Sequence, residues 1–493
     1  MININNQEDE ISNYNNKGLR KKDFFMLGFG SMIGIGWTVA INEWFKISGG
    51  PIGAAIAFLI GTFMIIPIGL AYAEMASSIP LSGGVIAYGY KGINKRMSFV
   101  GGWFVMLAYI ILLPWEAIYI NKILLVLFPG LKALPPIYSI LGHDIYPLGL
   151  LVTTLLSLLM IYINLKGAKS SGKLQTVFTS MIMISAAIVI VFSLINGNLR
   201  NLKPIYSQVE GYEHDNIIKS ILSMIVIVPF FLSGFDAVSQ SIEEAKSDKI
   251  EKSIGRILIM SILAAGIFYI MIILSAGYAI DWRTFSELDS PSVAIMFKYL
   301  YGDSKLGDIL YYLTMIGALS GLLSTWNAMF LSSSRLMQSM GKVKLISPKF
   351  KELHPVYKTP VNSIRFAGIA SIIGPFLGIG LIKPLTNVGS LSFIIGWLIT
   401  SLSALRLREL EPDLKRPYKA GNSKFILTMA TLISTLLIFL LINPFLDTFM
   451  GYISLAIFGV WSLLGLIFYY YSFNIRNSIS EKKRLELFNE SLF

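Results

Sequence analysis

The chain has 493 residues, 54% of them hydrophobic and only 14% charged, with 41 Lys and Arg against 29 Asp and Glu for a net charge of +12. A soluble domain carries about a quarter charged residues, and here the apolar residues come in blocks of about 20, the length that crosses a hydrocarbon core about 30 Å thick. That patterning excludes an ordinary soluble enzyme, and the absence of cysteine removes disulfides, thiolate nucleophiles, iron–sulfur clusters and cysteine zinc sites.

The first 25 residues, with NINNQEDEISNYNNKGLRKKD, are polar and read as a cytoplasmic tail without a cleavable signal. Twelve spans are predicted after it, at 26–46, 51–76, 98–128, 146–165, 174–196, 217–241, 256–279, 308–334, 362–381, 384–405, 425–443 and 449–472. Gly49, Gly50 and Pro51 form the tight turn between the first two.

Span one contains GFGSMIGIGW, with glycine at 28, 30, 34 and 36. Each glycine in a helix interior costs about 1 kcal/mol relative to alanine. The spacing of Gly30 and Gly34 also fits a close helix-packing face, so this motif by itself leaves packing and a true break open. Span six, IVPFFLSGFDAVSQSIEEAK, is interrupted at mid-span by Pro229 and by Ser233–Gly234. Interruptions at corresponding places in two halves of a chain point to a transporter built from inverted repeats. A broken helix leaves free N–H groups at one end, which suit a carboxylate. Its free carbonyls at the other end suit an ammonium group or a cation. A site with both matches a zwitterion such as an amino acid.

Basic residues orient the chain. Ten of the 41 Lys and Arg fall in outer segments or spans (Lys46, Lys122, Lys132, Arg200, Lys203, Lys219, Arg283, Lys298, Lys305 and Lys383), leaving 31 on the inner side. That excess predicts cytoplasmic termini and accounts for the net charge without a nucleic-acid partner. His143, His214 and His354 fall in connecting segments, so no imidazole relay crosses the membrane. There is no Walker-type loop for ATP. Channel filters repeat around an oligomer, and no such repeat is visible. No large signalling domain suggests a non-transporting sensor. The tail SEKKRLELFNESLF is expected to form a short amphipathic helix on the inner membrane surface.

GSMIGIG resembles the first-helix motif of the amino acid–polyamine–organocation permeases. GLAYAEMASSIPLSGGVIAYGY, INLKGAKSSGKLQ, FFLSGFDAVSQSIEEAKSDK, SSSRLMQSMGK with TPVNSI, and LRELEPDLKRPYK resemble later motifs of that family in the same order, over about residues 20 to 475. The resemblance implies an all-α polytopic membrane protein of twelve helices. It implies a five-plus-five inverted repeat with discontinuous helices 1 and 6, and two further helices. The units are then a tail at 1–25, repeats at 26–196 and 217–405, added helices at 425–472 and a cytoplasmic tail at 473–493.

The same resemblance nominates the binding residues: Ser31, Met32, Ile33, Gly34, Ile35 and Gly36 in the first helix, and Phe230, Phe231, Leu232, Ser233 and Gly234 in the sixth. N–H groups near Ile35–Gly36 would hold a substrate carboxylate, and carbonyls near Phe230–Leu232 an ammonium. Ile35 stands where the family commonly has serine, and Trp37 replaces a smaller aliphatic residue. The gate candidates are Trp37, Phe230 (with Phe231 as its neighbour) and Trp326, with polar Asn327 beside the last.

Acidic residues at membrane depth are functional candidates by default. Asp236, Glu116 and Glu74 are the candidates for carrying a proton, Glu74 also as an inner gate pair. Glu243 and Glu244 read as a solvated loop. Some relatives carry a span-five lysine in place of a sodium ion, and span five here has none. Two readings stay open: sodium held near Gly30, Ser320, Ser324 and Thr325, or a proton on a carboxylate. Proton coupling or exchange is the preferred one. No cofactor or resident metal is implied, only H+ or Na+ as a coupling ion.

The expectation is a non-enzymatic secondary active transporter of an amino acid, in a plasma membrane of a bacterium with an AT-rich genome. Its partners are the small-molecule substrate and the lipid bilayer. A polyamine or another organic amine is the rival substrate; lacking a carboxylate, it would leave the first-helix N–H groups without their anion.

Overall fold

The computed structural model describes residues 20–81, 83–212, 214–242, 250–289 and 291–490. Most of the predicted N-terminal tail and the Glu243–Glu244 loop lie outside those residues.

The first span is three helices in series, α1 Lys21–Met32, α2 Gly36–Val39 and α3 Ile41–Ser48. The chain bends by 77° between the first two, taken together, and the third. Gly49 (φ +68°) closes α3 in the left-handed conformation, and Pro51 opens α4 Pro51–Ser78. A short α5 Val85–Gly92 leads into the long α6 Lys95–Leu127, capped by Asn94, whose side chain accepts from the Met97 N–H. An antiparallel hairpin, β1 Tyr138–Ile140 with β2 His143–Ile145, connects α6 to α7 Pro147–Leu165. The helix α8 Ala168–Asn196 ends the first half.

The sixth span is again three pieces, α9 Ile217–Ile225, α10 Val228–Phe231 and α11 Ala237–Gln240. There follow α12 Glu251–Ala279, the short α13 Trp282–Ser286 and α14 Ser292–Tyr301, then α15 Lys305–Lys342, α16 Val361–Leu377 and α17 Ile382–Leu410. The chain ends with α18 Phe425–Ile442, α19 Tyr452–Tyr471, α20 Phe473–Asn477 and α21 Glu481–Asn489.

Among the described residues nine helices are long and apolar enough to cross a membrane, and the bent first span makes a tenth. The chain is a polytopic helical membrane protein. In the centre, α1 packs against α8, α12 and α15, α4 lies along α12, and α6 lies between α15, α16 and α17. At the periphery, Leu151, Leu155 and Leu158 of α7 and Leu432, Leu436 and Phe439 of α18 stay exposed at helical spacing. Such faces are apolar because lipid, not water, covers them.

The tail helix α21 forms as expected, but it sits against the protein rather than alone on a surface. Phe488 is buried with its ring 5.3 Å from that of Tyr90 on α5, and Arg484 is buried beside it, donating to the Arg476 carbonyl.

Candidate functional site

Both glycine-bearing spans are broken where their sequences weaken. In the first, the Ile33 N–H still reaches the Phe29 carbonyl at 3.1 Å, and the next N–H groups to find main-chain carbonyls are those of Thr38 and Val39, on Ile35. Among the described residues, the N–H groups of Gly34, Ile35, Gly36 and Trp37 make no main-chain hydrogen bond. In the sixth, the ladder stops at the Leu232 N–H, bonded to Val228, and restarts at the Ala237 N–H, bonded to Gly234. Gly234 has φ +104°, a region that favours glycine.

The two breaks lie against each other. Ser31 Oγ donates to the Gly234 carbonyl at 2.7 Å and to Gly28 at 2.9 Å. A Cβ on Gly234 would come within 2.8 Å of the Ser31 carbonyl oxygen, and one on Gly36 within 2.6 Å of the Phe231 ring. Real Cβ contacts are longer than this, so these glycines let the unwound segments approach. Beside Gly34, the position of a Cβ is flanked by Thr325 Oγ1 at 3.0 Å and Glu116 Oε1 at 3.4 Å.

A small cavity of about 20 Å³ remains between the segments, room for little more than one water. Ser31, Met32, Gly34, Gly36, Phe230, Phe231 and Ser233 line it, as does Glu116. Ile33, Ile35 and Leu232, nominated from sequence, are buried but do not line it, and Gly234 instead backs onto Ser31. Five lining residues escaped the sequence reading as binding residues, Glu116 having been nominated only for a proton. Thr325 was nominated only for an ion; Leu112, Trp115 and Tyr269 were not nominated at all. Trp115 adjoins Glu116, a polar signal inside an apolar span. Tyr269, whose hydroxyl donates to the Met32 carbonyl at 3.0 Å, sits in an apolar run with nothing to mark it.

Aromatic rings close the cavity on one side. Phe230 meets Trp115 at a tilt (5.5 Å between centroids) and Phe231 meets Trp44 edge to face (4.8 Å). Trp37 does not line the cavity; its ring meets Phe268 at 6.0 Å, edge to face. Trp326 is likewise outside it, its Nε1 donating to Ser371 Oγ at 3.0 Å and tying α15 to α16.

The three acids occupy different environments. Glu116 is 1% exposed, and its Oε2 has no hydrogen-bond partner among the described residues. Asp236 is equally buried; the Tyr109 hydroxyl donates to its Oδ2, while Oδ1 is unpartnered. Glu74 is fully engaged. Its Oε1 accepts from Arg408 Nε at 2.9 Å and lies 3.3 Å from Arg416 Nε; its Oε2 accepts from Arg408 Nη2 at 2.5 Å and the Ala420 N–H at 2.7 Å.

The corner nominated for sodium is filled by protein groups. Ser324 Oγ donates to the Gly30 carbonyl at 3.0 Å and accepts from Gln175 Nε2 of α8 at 2.7 Å. Ser320 and Thr325 hydroxyls donate to carbonyls one turn back in their own helix, Ile316 at 2.7 Å and Gly321 at 2.6 Å.

A sequence model of the family described as amino acid permease matches residues 21–472. The chain is 25% identical over 463 residues to a branched-chain amino acid permease of Bacillus subtilis, covering 91% of each chain. It is 26% identical over 401 residues to the methylthioribose transporter of that organism, covering 80% of this chain and 82% of the relative. It is 24% identical over 411 residues to the organism's aspartate–proton symporter, covering 82% and 75%.

Proposed function

Because the chain belongs to the amino acid permease family, we propose that it carries a small neutral amino acid across the plasma membrane by alternating access, driven by a proton. The observation that supports this most directly is the break in the first span: four N–H groups without main-chain acceptors, those of Gly34 and Gly36 at a cavity that also holds Glu116 with its unpartnered Oε2. The N–H groups of Ile35 and Gly36 are suited to the substrate carboxylate. Carbonyls beside the breaks are suited to its ammonium. Met32, Leu112, Phe230 and Phe231 offer an apolar surface to a branched aliphatic side chain. Since the cavity holds little more than a water, admitting such a substrate requires the Phe230 and Phe231 rings to swing aside, which is the gate role assigned to them. Trp37 and Trp326 act in this reading as packing residues around the moving helices.

Twelve spans follow if α9–α11 and the 17-residue α16 also cross. Pairing of α4 with α12, and of α6 with α15, five spans apart, supports the five-plus-five repeat. The inner face is then the one bearing Arg408 and the tail helix, with both termini cytoplasmic.

For the coupling ion, Gln175 favours the proton. Its amide donates into the Gly30–Ser324 corner where a cation would otherwise be held. Glu116 carries the proton beside the substrate, and Asp236 is the second acid available to relay it. Glu74, held by two guanidinium groups, is assigned to the inner clasp and not to proton transfer.

Reconstituted protein tests this directly. Labelled leucine should enter proteoliposomes when an inward proton gradient is imposed, and an equal sodium gradient should leave uptake at background. Uptake driven by sodium alone would overturn the coupling assignment. Uptake of a polyamine but of no amino acid would overturn the substrate class.

A further inference from the structure

Away from the helix breaks, a second and larger cavity of about 490 Å³ opens where α6 ends, the β-hairpin lies and α16 ends. None of its lining residues comes from the broken spans or from the central cavity. Its lining mixes apolar side chains, Ile118, Leu125 and Ile379, with polar and basic ones, Asn121, Lys122 and Lys132.

Lys132 is exposed and lies over the Tyr146 ring, 6.0 Å from its centroid. Lys122 is partly buried, and its ammonium makes no hydrogen bond or ion pair among the described residues; Asp289 acts on it from beyond ion-pair distance. Asn121 is 8% exposed, and its Oδ1 is buried without a donor. Asp144, the acid in the lining, accepts from Ser139 Oγ at 2.5 Å. His143 beside it is exposed. Two cations with no ion-pair partner among the described residues, beside an acid already engaged with Ser139, favour a negatively charged group in this cavity.

Position says which anion. The cavity sits level with the ends of three helices, Leu127 of α6, Pro147 of α7 and Leu377 of α16, at the boundary where a bilayer's phosphates lie. The connecting segment at its mouth exposes Phe128 (58%), Leu134 (48%), Ile137 (60%) and Leu141 (58%), a surface that belongs in an interface rather than in water. We propose that this cavity binds an anionic phospholipid such as phosphatidylglycerol. Its phosphate lies near Lys122 and Lys132, and its upper acyl chain lies on Ile118, Leu125 and Ile379.

Native mass spectrometry of the full chain in detergent tests this, with phosphatidylglycerol and phosphatidylcholine titrated in parallel. The wild type should retain phosphatidylglycerol in preference, and Lys122→Gln with Lys132→Gln should reduce that preference by about fivefold for each lysine lost. Lys122→Arg should restore it. If Lys122→Gln does not accumulate, Lys132→Gln at its exposed position carries the same expectation of about fivefold. Equal retention of the two lipids, or an unchanged preference in the lysine variants, would overturn the proposal. So would displacement of bound phosphatidylglycerol by millimolar inorganic phosphate, which would make the site one for free anions.

Discussion

Glu74 and Glu116 are both carboxylates inside the helix bundle, each 1% exposed, yet they are held in opposite ways. Glu74 accepts three hydrogen bonds, two of them from Arg408, and lies against a second guanidinium, Arg416. Arg408 also donates to the carbonyls of Ser423, Ala420 and Gly421, and Arg416 to those of Pro412, Leu414, Leu407 and Glu411. Every polar atom of that cluster is used, and it fastens α4 to the end of α17 and the segment after it. Glu116 instead keeps an oxygen without a partner at the edge of an unwound helix. A saturated buried charge is a fixed part of the structure, because any change in it strands a partner. An unsaturated one is free to take a proton or a ligand. On the proposed function, the contrast gives Glu74 a stabilising role and Glu116 a role in transport.

The largest effect should come from breaking the saturated cluster. Glu74→Gln leaves two buried guanidinium groups without their anion, a loss of about 3–5 kcal/mol when one partner of a buried pair is removed. The variant should accumulate poorly or melt far below the wild type in detergent, while transport per folded molecule stays near normal. A Glu74→Gln protein that melts with the wild type but fails to transport would reverse the two assignments.

Gly234→Ala comes next. It places a side chain at φ +104° and 2.8 Å from the Ser31 carbonyl, and a strained backbone of that kind costs about 1–3 kcal/mol. Because the clash lies where the two breaks meet, binding of substrate should weaken by at least about tenfold, the equivalent of 1.4 kcal/mol. A radioligand binding titration at matched protein concentration measures this. Unchanged affinity would mean that the contact of the breaks is not part of the site.

These residues also show what the sequence could and could not reveal. The breaks were legible because glycine and proline inside an apolar run carry a cost that only unwinding or close approach explains, and both occurred. Glu116 and Asp236 were legible because an acid in a span is rare. What escaped was decided by three-dimensional packing. Trp37 reads as a gate from its place after the motif, but the bend that follows it turns the ring onto Phe268. Tyr269 lies in a uniformly apolar helix, and only the approach of α12 to the Met32 carbonyl gives its hydroxyl a use. Glu74 could be placed at a helix end, but its partners lie more than 330 positions away in sequence, and no local pattern links them. The short helices α13 and α14 went unseen because they are too short for a span signal.

Glu116→Gln tests the unsaturated side of the comparison and should have the smallest effect on stability. Glutamine keeps the shape and replaces a carboxylate oxygen that has no partner, so folding loses no ion pair and the melting temperature should stay within a few degrees of the wild type. The proton is lost instead. Leucine uptake under an inward proton gradient should fall by about tenfold or more, as for a positioned acid or base removed from its task. Leucine–leucine exchange across the same membranes, which needs no net proton movement, should fall much less. The two assays separate a defect in coupling from a defect in binding. If exchange falls in step with driven uptake, Glu116 is a ligand of the substrate ammonium and Asp236 is left to carry the proton. The parallel Asp236→Asn variant should then show the split that Glu116→Gln did not.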